Sequence, residues 1–245
     1  MLRWKEERQG ETALLIEGAR RIGKSTIVEE FAKNEYSSYI LVDFSKTATE
    51  INDLFNDLSD LNYIFLRLQL NYNVSLKERK SLIIFDEVQN NPKARQAIKH
   101  LVKDHRYDYI ETGSLISIRK NVQNIIIPSE ETRITMHPMD FEEFRWAMGD
   151  NVSFTLLKTV LEKKQPLGEA IHRKLMRDFR LYMLVGGMPQ AVDKYIKTND
   201  LSAVDTVKRD IIALYEEDLR KIDTSGKATA MFDAIPSQLS KNASR

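Results

Sequence analysis

Thr12-Ala13-Leu14-Leu15-Ile16-Glu17-Gly18-Ala19-Arg20-Arg21-Ile22-Gly23-Lys24-Ser25 is the stretch that decides the fold. Thr12–Glu17 is a short apolar run closed by Gly18, and from Ser25 to Lys33 the apolar residues Ile27, Val28 and Phe31 recur at helical spacing. The pattern changes from strand to helix across a glycine turn. The turn matches G-x-x-x-x-G-K-[ST] in full, in the setting that motif requires. Its glycines permit a tight turn whose backbone N–H groups face phosphates, and the positive end of the following helix adds attraction. Lys24 supplies a point charge at the β- and γ-phosphates, and Ser25 a hydroxyl for Mg²⁺. Gly18, Ala19, Arg20, Arg21, Ile22, Gly23, Lys24, Ser25 and Thr26 are the expected nucleotide-binding positions. For Arg20 and Arg21 three readings stay open: solvent exposure, substrate, or a neighbouring subunit.

Tyr39–Phe44, Ser81–Phe85, Tyr107–Thr112 and Arg133–Met136 are further strand candidates. Helical patterns lie between them over Glu50–Leu70 and Ala94–Lys103. Strands alternating with helices predict an α/β fold with a parallel sheet covered on both faces. Near Pro138 the character changes, and helical patterns run over Pro138–Met148, Val152–Lys163, Leu167–Leu184, Pro189–Thr198 and Leu201–Asp223. Three regions are therefore expected: a P-loop core over 1–138, a helical lid domain over 139–225, and a linker over 226–245 that ends in the polar stretch Ile235–Arg245.

The second chemical signal is Asp86-Glu87 at the end of the strand Ser81–Phe85. Ligands of parallel sheets bind at the carboxyl ends of the strands, which brings this pair and the glycine turn to one crevice. Asp86 is suited, with Ser25, to the Mg²⁺ shell, and Glu87 to the attacking water as general base. Adjacent Asp and Glu favour hydrolysis, and the guanine-selecting N-K-x-D pattern does not occur. Thr112 and Ser114, at the end of another strand, are candidates for contacting the γ-phosphate or positioning water, with a local turn cap as the alternative. Asp43, after the second strand, has a weaker claim. The catalytic set is then Glu87, Lys24, Thr112 and Ser114. An arginine completing it is not singled out among Arg119, Arg180, Arg209 and Arg220.

Composition excludes several classes. The 245 residues carry 37 Lys+Arg against 36 Asp+Glu, a formal net charge of +1, so bulk charge does not mark a nucleic-acid binder. The absence of cysteine removes disulfides, thiolate catalysis and Cys-based metal sites. No apolar run reaches the roughly 18 residues of a spanning helix, and charges stand where a signal peptide needs its apolar segment. The expectation is a soluble, cytoplasmic protein with no membrane partner.

The segments ALLIEGARRIGKS, LIIFDEVQ, ETGSLISI, PMDFEEF, LYMLVGGMPQAV, YEEDLRKI and IPSQLSKN together span nearly the whole chain. They resemble the bacterial and archaeal AAA-family ATPases of the ASCE P-loop class that carry a C-terminal DUF4143 domain. The resemblance implies an α/β core with a helical lid, ATP rather than another nucleotide, ATP and Mg²⁺ as cofactors, and Thr112 and Ser114 in a sensor segment. It also implies that Met1–Arg8 is the end of a helix that family members extend upstream, and that 226–245 is a truncated linker toward a C-terminal DUF4143 domain missing from this chain, which is then expected to be a piece of a longer protein. Function is then expected to be Mg²⁺-dependent ATP hydrolysis that moves an attached module. An ATP-binding switch that waits for a protein partner or self-association, and a nucleic-acid-handling ATPase, are the alternatives.

Overall fold

The computed structural model describes residues 1–114 and 130–239. It divides into two compact units, Met1–Met136 and the chain from His137 onward. In the first, β1 (Ala13–Gly18), β2 (Ser38–Asp43), β3 (Ser81–Asp86), β4 (Asp108–Ser114) and β5 (Glu131–Met136) form one sheet in the order β2-β3-β4-β1-β5. Every neighbouring pair is parallel. The fold is α/β, as expected.

Helices cover both faces. On one, α1 (Leu2–Arg8) and α2 (Lys24–Glu35) pack Trp4, Val28 and Phe31 against Leu14, Ile16, Leu82, Ile84 and Ile110 of the sheet. The Trp4 indole donates to the Thr12 carbonyl at 3.2 Å and fastens α1 to the start of β1. On the other, α3 (Thr49–Asp53), α4 (Leu61–Tyr72) and α5 (Pro92–Asp104) pack on Ile40, Val42, Ile83, Phe85 and Tyr109. Burial on both sides explains the unbroken apolar run of β3, whose residues are all buried. Asn91 caps α5 by accepting from the Ala94 amide at 3.0 Å, and Pro92 occupies its first turn, where a missing N–H costs nothing.

Two expectations are corrected. The continuous helix over Glu50–Leu70 is instead α3, a 3₁₀ turn at Leu54–Asn56, a break, and α4. The Asp57 carboxylate accepts from the Ser59 amide at 2.9 Å and Asp60 from the Tyr63 amide at 3.1 Å. These local bonds offer the backbone an alternative to helix and restart it at α4. Within the expected linker, Lys227–Leu239 forms a helix.

The second unit holds α6 (Phe141–Ala147), α7 (Ser153–Glu162), α8 (Glu169–Val185), α9 (Pro189–Thr198), α10 (Leu201–Ile222) and α11 (Lys227–Leu239). Asp140 and Glu143 make a reciprocal capping box at the start of α6. Phe144, Val185, Ala191, Val192 and Val204 form the core. The turn between α8 and α9 packs on the entry to α6: Met139 N–H donates to the Gly187 carbonyl at 2.8 Å, and the Tyr182 hydroxyl to the Met139 carbonyl at 2.8 Å. A Cβ on Gly187 would overlap the Met139 carbonyl oxygen, so only glycine permits this approach. The PMDFEEF and GGMPQAV segments are thus one packed unit, far apart in sequence and adjacent in space.

Candidate functional site

β4 lies between β1 and β3 in the sheet. The glycine loop after β1 and the acidic pair after β3 are therefore bridged by the end of β4. The residues gathered there come from three strand ends and the first turn of α2.

Gly23 is the N-cap of α2, and Lys24 and Ser25 open the helix. Lys24 is buried, and its Nζ donates to the carbonyls of Ala19 at 2.8 Å and Gly18 at 3.3 Å. Burial lowers its pKa, the carboxylates of Glu87 and Asp86 oppose that shift, and Arg20 adds to it. Arg21 takes the left-handed conformation with φ 68° and is exposed. Thr26 is exposed in the first turn of α2. Ile22 is buried and packs toward Gly18: a Cβ on Gly18 would overlap the Met136 carbonyl oxygen and stand 2.6 Å from Ile22 Cδ1.

The Ser25 hydroxyl donates to Asp86 Oδ1 at 2.8 Å. Thr112 Oγ1 donates to the same oxygen and accepts from the Glu87 amide at 3.2 Å. Ser25, Asp86, Thr112 and Glu87 are therefore one hydrogen-bonded chain. Ser114 is buried at the end of β4, in register with Gly18 of β1. Asp43 stands in register with Asp86, but its carboxylate is held in its own turn by the Ser45 amide at 2.9 Å and by Lys46 at 3.1 Å. Of the arginines weighed above, Arg119 lies outside the described residues, as do 115–118 of the ETGSLISI segment and 240–242 of IPSQLSKN. Arg180, Arg209 and Arg220 are on helices of the second unit; Arg209 pairs with Asp205 at 2.8 Å and Arg220 with Glu216 at 3.5 Å.

Two residues missed in the sequence emerge from the structure, one at this site and one across the sheet from it. Gln89 is buried in the 3₁₀ turn Val88–Asn90, and its side-chain amide donates to Glu87 Oε2. The signal was a polar residue two positions beyond the acidic pair. Glu111, next to Thr112 on β4, is fully buried on the opposite face of the sheet. Arg95 of α5 and Arg133 of β5 pair with Glu131 at 3.2 and 2.6 Å beside it. Neither Glu111 oxygen has a hydrogen-bond partner among the described residues. Burial, and then the Glu131 carboxylate, hold the Glu111 carboxyl well above the usual range despite the two arginines. An acid at an inward strand position was the available signal.

The folded state keeps the Glu111 proton after the unfolded chain has lost it near 4.5. The stabilisation is complete below that pH and is lost as pH rises toward the folded-state pKa. Glu111→Gln removes the titration. Its unfolding free energy is expected to match that of the wild type near pH 4 and to exceed it increasingly toward pH 7, read by denaturant melts at each pH. A constant difference across that range would contradict the assignment.

Together these groups form an oxygen-rich, partly buried cluster at the carboxyl ends of the strands. A helix N-terminus and a lysine suit phosphates, a hydroxyl–carboxylate pair suits a hard cation, and the Glu87 carboxylate stands beside them. Among the described residues, no cluster of three metal-ligating side chains occurs and no helix is long and apolar enough to cross a membrane.

Similar solved structures include PCH-2 of C. elegans, with TM-score 0.41 and 10% identity over 83% of this chain and 62% of that one. Drosophila ORC bound to DNA gives 0.45 and 16% over 100% of this chain and 67% of that one. The Aeropyrum pernix ORC1 protein in complex with DNA gives 0.41 and 12% over 90% and 66%. The chain thus spans about two thirds or less of the length of these proteins. No curated protein matches it. Residues 176–245 match a family described as "Domain of unknown function (DUF8612)", where the resemblance had named DUF4143. Residues 10–145, more than half of the 245, match the family described as "AAA domain", with the phosphate loop and the acidic pair both inside the matched span. The chain therefore belongs to the AAA domain family.

Proposed function

We propose that this protein binds ATP with Mg²⁺, hydrolyses it at the γ-phosphorus, and uses the cycle to move its helical unit. The observation that best supports this is the hydrogen-bonded chain Ser25–Asp86–Thr112–Glu87, which links the phosphate loop to the acidic pair. Mg²⁺ prefers hard oxygen donors and retains water, and a serine hydroxyl 2.8 Å from a carboxylate oxygen fits that preference. Ser25 and Asp86 would hold it, and when bound it would neutralise charge on the β- and γ-phosphates.

The chain's own groups account for the rest. Lys24 exchanges its bonds to the Gly18 and Ala19 carbonyls for phosphate oxygens, and its charge stabilises the transition state. Glu87 orients a water in line with the γ-phosphorus and accepts its proton. Thr112, bonded to both Asp86 and the Glu87 amide, keeps cation ligand and base in fixed relation.

The test is nucleotide affinity with and without the loop lysine. A charge-assisted bond to phosphate contributes about 1.5–3 kcal/mol, so Lys24→Ala is expected to weaken binding of a fluorescent ATP analogue by roughly 10- to 100-fold. Equal affinity in both proteins, measured by titration with Mg²⁺ present, would remove the nucleotide from this site.

A further inference from the structure

We propose that Gln89 is a positioning residue for Glu87, holding its carboxylate so that one oxygen faces the attacking water. The proposal rests on the reading of Glu87 as general base.

A carboxylate on a flexible side chain can point its lone pairs many ways, and proton abstraction needs one of them aimed at a single water. A base is effective when a third group orients it. Here two groups restrain Glu87. At the backbone, its amide donates to Thr112 Oγ1 at 3.2 Å, and its φ of 53° is left-handed, an uncommon conformation for a non-glycine residue. The turn is closed by the Asn90 amide donating to the Glu87 carbonyl at 3.0 Å. At the side chain, the Gln89 amide donates to Oε2, leaving Oε1 to accept from water.

Gln89 is only 8% exposed, so the donor is itself held by packing. An amide suits the task. It donates to a carboxylate without adding a charge that would bind the carboxylate permanently or compete with Lys24 for phosphate. The spacing also accounts for the sequence: a residue two positions beyond Glu87 in a 3₁₀ turn is close enough to reach back to it.

The test compares Gln89→Met, which keeps length and volume but removes the donor, with Glu87→Gln and the double variant. ATP-analogue affinity and KM are expected to stay within about twofold in Gln89→Met, while kcat falls about tenfold. In the Glu87→Gln background the added Gln89→Met is expected to cost less than about twofold, because two residues acting through one base are not additive. A packing role would add its loss in both backgrounds. Ligand-free protein supplies an independent readout: the Gln89 side-chain amide resonances are expected to shift on Glu87→Ala. Gln89→Leu replaces Gln89→Met should the latter lose its native thermal transition. Turnover that drops in Glu87→Gln but is unchanged or raised in Gln89→Met overturns the proposal alone, as does an unmoved amide resonance. Turnover equal in wild type and Glu87→Gln overturns the role of Glu87, and the proposal with it.

Discussion

Glu87→Gln is expected to bind Mg²⁺–ATP like the wild type and to release phosphate about 10²–10³-fold more slowly, the range by which a positioned general base accelerates proton transfer. The substitution keeps shape and the ability to accept from the Gln89 amide, but removes the group that takes the proton. The Glu87 amide bond to Thr112 is untouched, so the link to Asp86 and Ser25 survives. Phosphate release at matched nucleotide occupancy is the measurement. A wild type that binds ATP and does not turn over, with the mutant identical, would favour the switch reading, in which a partner completes the site.

Arg145→Ala is expected to destabilise the helical unit by roughly 3 kcal/mol, because removing one partner of a buried ion network leaves the others uncompensated. The Arg145 side chain is 7% exposed and bridges two carboxylates, donating to Asp178 of α8 and to Asp150 in the loop before α7. Asp150 is further tied to Ser153, whose hydroxyl donates at 2.6 Å and whose amide donates at 2.9 Å. The Ser153 hydroxyl, the Ser153 and Val152 amides and Arg145 hold the Asp150 carboxyl well below the usual carboxylate range, against its partial burial. The network joins α6, α7 and α8, so its loss loosens three helices together. For a unit of this size the shift corresponds to a fall in Tm on the order of 10–20 °C, followed by circular dichroism. Arg145→Lys is expected to recover little of it, since an ammonium lacks the planar fork that reaches both carboxylates. A melting temperature within a few degrees of the wild type in Arg145→Ala would show the network to be dispensable.

Periodicity carried most of the element assignments because the interior strands β1, β3 and β4 of the first unit are buried on both faces and its helices on one. The run Ser81–Phe85 reads as an interior strand because α2 and α5 lie over its two faces, and Ile98, Leu101 and Val102 read as one stripe because they meet the sheet. Where polar side chains compete with backbone bonds, periodicity fails: Asp57 and Asp60 interrupt a pattern that is apolar on both sides of them. Most of the candidate site was marked in the same way: Lys24, Ser25, Asp86, Glu87, Thr112 and Ser114 stand at or just beyond strand ends, and that placement singles them out, whereas Gln89 carries no such mark.

The α/β class, the glycine turn and the Asp86-Glu87 pair are readable from the residues alone, because each is a local pattern whose physics is complete within a few residues. Long-range packing sets the strand order that inserts β4 between β1 and β3, and with it the contact of Thr112 with both Asp86 and Glu87. Packing also decides that Gln89 turns back onto Glu87, that Gly187 faces Met139, and that Glu111 is sealed beside Glu131. Three of these four depend on residues far apart in the chain brought within hydrogen-bond or van der Waals range, and the fourth on the rotamer that packing imposes on a buried amide. None leaves a period in the sequence, since side-chain partners across a sheet are chosen by register and burial rather than by spacing along the chain.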